Sequence, residues 1–415
     1  MKNNMRFSTN LISVAVASLL SLPVIAQEAD KPAAGKPAGV PWGAVMVYPE
    51  ADVTFKSNDN IYSQPTTKKS GNITVLAPKV KLEAKTGPHT FDATYRVEHG
   101  RYSGSSSDNY TDHGLTANAA WVFSGRAGLK LSAGYLQGHD DLGSIPGVAT
   151  HANPDKWHQS SFSGVAGFGA EGAQGRIELD GGLTSKRYDN FKTTVAGLPD
   201  NTKRDHDDSK VGATFYWRIA PKTQLLFQAT QTKFDYQQAS APAVAGAQLD
   251  STDRNYAVGV NWEAAAKTTG IFKIGSVKKD FSDSSLRDFS GSSWDGTVKW
   301  SPLTYSTFDF NTGRTTGEST IGNASLDTKY GVTWNHAWNS RLSSVVAYSN
   351  TKNAYQSDTG IQQTDKTNVL GLKLNYQWIR TVKLGVGYDR TDKTSDVATS
   401  EYKRNIYSIF LNAAI

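Results

Sequence analysis

The 415-residue chain contains no cysteine. That absence excludes a disulfide scaffold, thiolate zinc sites, iron–sulfur clusters and a cysteine nucleophile. Long apolar runs are missing beyond the N-terminal segment, and the mean hydropathy is −0.47, which excludes a bundle of membrane helices. A dominant charge is lacking too. The chain has 44 Lys and Arg against 38 Asp and Glu, a net charge of +6. With the signs mixed throughout, that excess is no nucleic-acid footprint, and the pI of 9.1 reflects a small surplus instead of a basic patch. What the chain does have is 37 Gly and many amphipathic aromatics, with 18 Tyr and 10 Trp beside 16 Phe.

The N-terminus carries an address. Lys2 and Arg6 precede an apolar run over residues 11–22, Pro23 closes it, and Val24-Ile25-Ala26 offers small side chains for cleavage. This predicts a Sec-type signal peptide over residues 1–26, cut after Ala26 and too short to span a bilayer as a helix. Its removal takes Lys2, Arg6 and no acid, so the net charge falls from +6 to +4. Residues 27–45 are rich in Pro, Ala and Gly without periodicity, and read as a flexible periplasmic leader.

From residue 46 to 415 one texture persists. Leu115, Ala117, Ala119, Trp121 and Phe123 occupy alternate positions, as do Val211, Ala213, Phe215, Trp217 and Ile219. Leu370, Leu372, Leu374, Tyr376 and Trp378 interleave with Gly371, Lys373, Asn375 and Gln377. Successive strand side chains point to opposite faces, so each such segment has one apolar and one polar face. A soluble sandwich would share this pattern. Three features favour a membrane barrel. Trp121, Trp217, Trp262, Trp300, Trp338 and Trp378 all close a segment just before a short turn, as an interfacial girdle requires. Short turns alternate with longer polar loops, such as 57–71, 139–154, 190–207, 237–250 and 353–365. The segments number eighteen, an even count that returns both termini to the periplasmic side.

The expected fold is therefore all-β: one transmembrane, antiparallel, up-and-down barrel of about 18 strands, in the outer membrane of a Gram-negative bacterium. Sixteen is the rival count, since the segments over 268–313 alternate weakly. The last segment alternates up to Ile415, the kind of C-terminal strand that barrel-assembly machinery recognises. A barrel this wide cannot be filled by its own wall side chains and leaves an aqueous channel, which loops 139–154 and 190–207 are long enough to narrow. Parity assigns Arg96, Glu98, Asp180, Lys210, Tyr216, Arg218, Lys299, Lys373, Asn375 and Lys383 to the lumen; Asp309 and Asn311 join them if Phe308 and Phe310 face lipid. This nearly balanced wall suits neutral or mildly acidic hydrophilic solutes such as sugars, unlike an all-basic anion filter.

Other motifs carry less. Residues 167–172 spell GxGxxG but sit within a strand and end in a tight turn, so no helix N-terminus follows to hold a pyrophosphate. Asp205-His206-Asp207-Asp208 has the oxygen ligands for Ca²⁺, yet reads better as a solvated acidic run in an external loop, and His139 shares no ligand spacing with it. No GxSxG or compact Ser/His/acid set is present, so no enzyme, cofactor or resident metal is expected.

Val47-Tyr48-Pro49, Asn58-Asp59-Asn60-Ile61-Tyr62, the run over 76–84, YRVEHGRY over 95–102, DNYTD over 108–112 and Arg187-Tyr188-Asp189-Asn190-Phe191 together resemble a known pattern. They are similar to the beta-barrel porin family of exopolysaccharide operons, the EpsL- and VpsM-like outer-membrane proteins. The likeness is strongest over residues 46–141. It implies passive export of a nascent polysaccharide, with a periplasmic translocon protein and an inner-membrane synthase or polymerisation complex as partners, beside outer-membrane lipid and lipopolysaccharide. An uptake porin for small hydrophilic solutes is the alternative. The family has no agreed catalytic residues to carry over.

Overall fold

The computed structural model describes residues 38–415 apart from 145–152, 171, 193–199, 239–245, 266 and 320. The expected signal peptide lies outside the described residues. A short strand, β1 (Val40–Trp42), precedes eighteen long ones: β2 (Val45–Asn58), β3 (Gly71–Thr86), β4 (His89–Tyr102), β5 (Tyr110–Val122), β6 (Ala127–Asp140), β7 (Asp155–Phe168), β8 (Gly175–Tyr188), β9 (His206–Ala220), β10 (Thr223–Tyr236), β11 (Ser251–Ala265), β12 (Thr268–Phe281), β13 (Phe289–Leu303), β14 (Ser306–Gly317), β15 (Ala324–Ala337), β16 (Leu342–Ser357), β17 (Gly360–Ile379), β18 (Val382–Ser395) and β19 (Tyr402–Ala414).

Every long strand pairs antiparallel with its sequence neighbours, and β19 pairs with β2 from Ile406↔Asn58 to Ala414↔Glu50. The sheet is thus a closed 18-stranded barrel with no free edge along its span, the condition for satisfying backbone polar groups in lipid. The rival count of sixteen fails because the weakly alternating segments over 268–313 are three separate strands, β12, β13 and β14.

Exposed large apolar side chains mark the outward face. Leu179, Val211, Phe227, Val258, Ile274, Leu374 and Ile409 all belong to it, while their immediate neighbours in sequence point inward. Connections alternate as expected, with one end of the barrel built from tight turns and the other from loops.

Three boundaries differ from expectation. Val40–Trp42, at the end of the segment read as leader, pairs with Val45–Val47 in a hairpin. The short turn expected just after Trp300 begins later, since Ser301 and Pro302 still lie within β13. Residues 353–365, read as a loop, are mostly strand: β16 and β17 stay paired as far as Ser357↔Gly360. Both faces of that extension are polar, so no apolar alternation announces it.

Candidate functional site: the lumen and its loop-end mouth

Alternation dictates where each lumen residue stands, since inward side chains two apart share a face. Arg96 donates from Nη2 to Glu98 Oε2 at 2.6 Å on β4. Lys210 Nζ lies 3.3 Å from Asp180 Oδ2 across β8 and β9. The Tyr216 hydroxyl donates to Glu178 at 3.0 Å, with the Arg176 guanidinium 4.3 Å above the Tyr216 ring. Arg218 donates to the Ala173 carbonyl at 3.2 Å. Lys299 faces Asp309 in register, and Asn311 faces Thr297; Phe310 is exposed on the other face, as that assignment required. Lys373 and Asn375 on β17 face Gly387 and Gly385, and Lys383 on β18 faces Asn412. Two ion pairs, Arg96–Glu98 and Asp180–Lys210, are thus brought together within this set, and the remaining residues are spread around the wall.

Parity alone missed further inward pairs: Lys79–Glu50 at 2.5 Å, Arg176–Glu178 at 2.8 Å, Lys279–Asp253 at 2.8 Å and Lys393–Asp365 at 2.8 Å. The three pairs that span two strands needed the register to be seen, whereas Arg176 and Glu178 stand two apart on β8 and share the parity of Asp180. The wall is a set of local ion pairs with no field of one sign.

The six girdle tryptophans all stand at the turn end. Trp217, Trp300, Trp338 and Trp378 are 40–57% exposed on the outward face. Trp121 packs edge-on against Phe91 at 5.6 Å, and Trp262 donates from Nε1 to the Thr268 hydroxyl at 3.2 Å.

At the loop end the inward groups are packed against one another. Arg204 donates to Asp140 at 2.8 Å and Asp155 at 3.2 Å, and its guanidinium lies 3.9 Å over the Tyr188 ring. Trp157 Nε1 donates to the same Asp140 at 3.1 Å. The Lys186 ammonium stands over the rings of Trp157 and Tyr188 at 4.9 and 5.2 Å. Lys186, Trp157 and Tyr188 are 5%, 3% and 1% exposed. Arg204, in the segment over 190–207 that is long enough to fold inward, thus reaches this cluster.

A second inward element was not expected. Strand β14 pairs with β13 only up to Trp294↔Arg314; its last residues, Thr315–Gly317, pair with β15 alone. The tip of the β14–β15 hairpin leans into the barrel. The Thr316 hydroxyl donates to Asp253 of β11, and Glu318 Oε1 lies 2.8 Å from His206 Nε2 of β9. Strands β9 and β14 are five neighbours apart, about 24 Å along the wall at 4.8 Å per strand. Their contact must therefore cross the lumen. Burial alone would push the Glu318 carboxyl up, but His206, Lys186 and Arg204 outweigh it and hold the group down at about 2.

One expectation changes here. The Asp205–Asp208 run is not a solvated loop: it opens β9, and His206 is 1% exposed inside the mouth. His139 engages Asp112 at 3.0 Å and Asp141 at 3.4 Å while its ring stacks on Tyr110 at 3.9 Å. Gly167 and Phe168 end β7, and no helix lies among the described residues between them and β8. Gly169 there has φ +124°, and a side chain would meet the Arg176 backbone at 2.8 Å.

A closed 18-stranded wall, apolar outside and ion-paired inside, with loops at one end and turns at the other, defines an outer-membrane β-barrel. The chain belongs to the family described as Putative beta-barrel porin 2, whose match covers residues 32–414. Among solved structures it is similar to OpdK of Pseudomonas aeruginosa, solved with vanillate, at TM-score 0.48 and 11% identity over 89% of this chain and 99% of that one. It is also similar to the FrpB iron transporter of Neisseria meningitidis, at TM-score 0.47 and 11% identity over 84% of this chain and 62% of that one. The siderophore receptor PirA of Acinetobacter baumannii gives TM-score 0.44 and 7% identity over 88% and 80%. A search of curated protein sequences returns no significant match.

Proposed function

We propose that this porin is a passive conduit for export of an exopolysaccharide or capsular polysaccharide, driven by synthesis at the inner membrane. The observation that carries the reading is the inner wall. Its charges are paired locally, as in Arg96–Glu98 and Lys210–Asp180, and amides and hydroxyls stand between them. A polymer can slide past many weak, replaceable contacts, whereas one tight site would stop it. The pore-lining and girdle residues named above, a cleaved signal peptide, a periplasmic translocon partner and lipopolysaccharide contacts belong to the same proposal.

A second reading, uptake of small hydrophilic solutes, is favoured by one feature, the inward-leaning β14–β15 tip. A narrowed mouth suits small solutes better than a polymer, unless it opens. Deleting the gene and assaying polysaccharide separately in medium, cell surface and periplasm distinguishes the two. Loss of surface polymer with periplasmic accumulation is expected. An unchanged distribution overturns export and leaves solute uptake to be measured by permeability.

A further inference from the structure

We infer that His206, Asp208 and Glu318 form a binding site for a divalent transition-metal ion that latches the β14–β15 tip to β9, five strands away around the wall. The three residues offer one imidazole nitrogen and two carboxylate oxygens, all within 4.8 Å of one another. His206 and Asp208 are two apart on β9 and therefore share its inward face; Glu318 arrives from the hairpin tip.

The imidazole is set up as a ligand. His206 Nδ1 lies 2.8 Å from the Arg204 carbonyl, which can only accept, so Nδ1 carries the hydrogen and Nε2 is left to face the carboxylates. This is the arrangement in which a backbone carbonyl fixes the tautomer of a metal-bound histidine. His206 is 1% exposed and its Nε2 meets only the Glu318 carboxylate, at 2.8 Å, while Asp208 Oδ1, on a side chain 10% exposed, makes no hydrogen bond. A buried carboxylate oxygen left unpaired is costly, and a metal ion that takes the place of the Nε2 proton between His206 and Glu318 satisfies it as well.

The distances fit as well. Nε2 stands 2.8 Å from Glu318 Oε1 and 3.9 Å from Asp208 Oδ1. These bracket the roughly 3.4 Å between ligands in a tetrahedral site with bonds of about 2.1 Å. Among the neighbouring cations, Arg204 is engaged with Asp140 and Asp155 and Lys279 with Asp253, while Lys186 stands over the rings of Trp157 and Tyr188 and acts on Glu318 through its charge. One nitrogen with two carboxylates suits zinc or a similar ion, whereas Ca²⁺ prefers an all-oxygen shell. Three protein ligands leave a position open for water.

The test uses the full-length protein, folded in lipid vesicles, with Zn²⁺ alone as the probe and a chromogenic chelator as competitor. The expected result is one Zn²⁺ per barrel, with affinity falling about tenfold or more in Glu318→Gln and in Asp208→Asn. Both changes are isosteric, and mobility on unheated gels reports whether each variant is folded. Wild type that takes up no Zn²⁺, or a folded Glu318→Gln that binds as wild type does, overturns the site. In planar bilayers Zn²⁺ should suppress opening of wild type, reversibly with chelator, and leave Glu318→Gln unaffected. Stoichiometric binding without that change overturns the latch.

Discussion

At the turn end of the barrel, inward side chains such as Lys299, Asn311 and Lys383 are spread along the wall; at the loop end, Arg204, Asp140, Asp155, Lys186 and Tyr188 are packed into one another. Chemistry does not explain the contrast, because both ends carry Lys, Arg, Asp and Asn. Coverage does. Away from the loops, a wall charge such as Arg96, 40% exposed, keeps much of its water and gains little from a partner. Near the loops, Arg204 and the β14–β15 tip fold over the wall and remove that water. A charge there must be paired or it is costly. Identical residue types are therefore replaceable at one end and mutually dependent at the other.

The largest expected difference comes from cutting one cation at each level. Arg204→Ala leaves the buried Asp140 and Asp155 without the guanidinium that balances their charge and should cost about 3–5 kcal/mol. Arg96→Ala removes an ion pair whose arginine is 40% exposed, and should cost about 0–1 kcal/mol. Urea unfolding from lipid vesicles measures both, and equal costs would erase the distinction between the two ends. A smaller effect sharpens the comparison within the open half by moving one residue along β17. Leu374→Arg puts a cation into lipid and should cost about 2–4 kcal/mol, whereas Asn375→Arg faces the water-filled lumen and should leave the unfolding midpoint nearly unchanged. Asn375→Arg should instead shift ion selectivity toward anions, read as a reversal potential. If Asn375→Arg destabilises as much as Leu374→Arg, residue 375 does not face water.

The same contrast explains what could be read from sequence. Strands crossing lipid announce themselves, because their outward positions must be apolar; eighteen segments could be counted this way, those over 268–313 only weakly, and Trp378 or Trp217 marked where such strands end. Above the membrane both faces are polar and the alternation disappears. Asn353, Tyr355, Gln363 and Asp365 consequently read as a loop, although they are buried inward residues of β16 and β17. The mouth was hidden for a different reason. A run such as Asp205–Asp208 reads as solvated unless Glu318, over a hundred positions later, is known to reach it, and only the splaying of β14 from β13 brings that about. Pairs on adjacent strands, such as Lys210 and Asp180, lie between these extremes, since they need the register but not the tertiary fold.

The smallest expected effect probes the rim, where the two regimes meet. Burial works against the Asp141 charge, but His139 at 3.4 Å, with Arg404 and Lys56 beyond it, holds the carboxyl below its ordinary 3.8. A carboxyl with a lowered folded value contributes stability that is complete above the unfolded value and lost as pH falls through the lowered one. Acid should therefore loosen the Asp112–His139–Asp141 bracket only below about pH 3.8, and Asp141→Asn should flatten that part of the stability profile. Because 40% of the Asp141 side chain is exposed, screening keeps the difference well under about 1 kcal/mol. Urea midpoints of wild type and Asp141→Asn, compared at neutral and acid pH, resolve it. A larger acid effect would mean that water is excluded from the rim as it is from the Arg204 cluster; coincident profiles would mean that the packed regime stops short of His139.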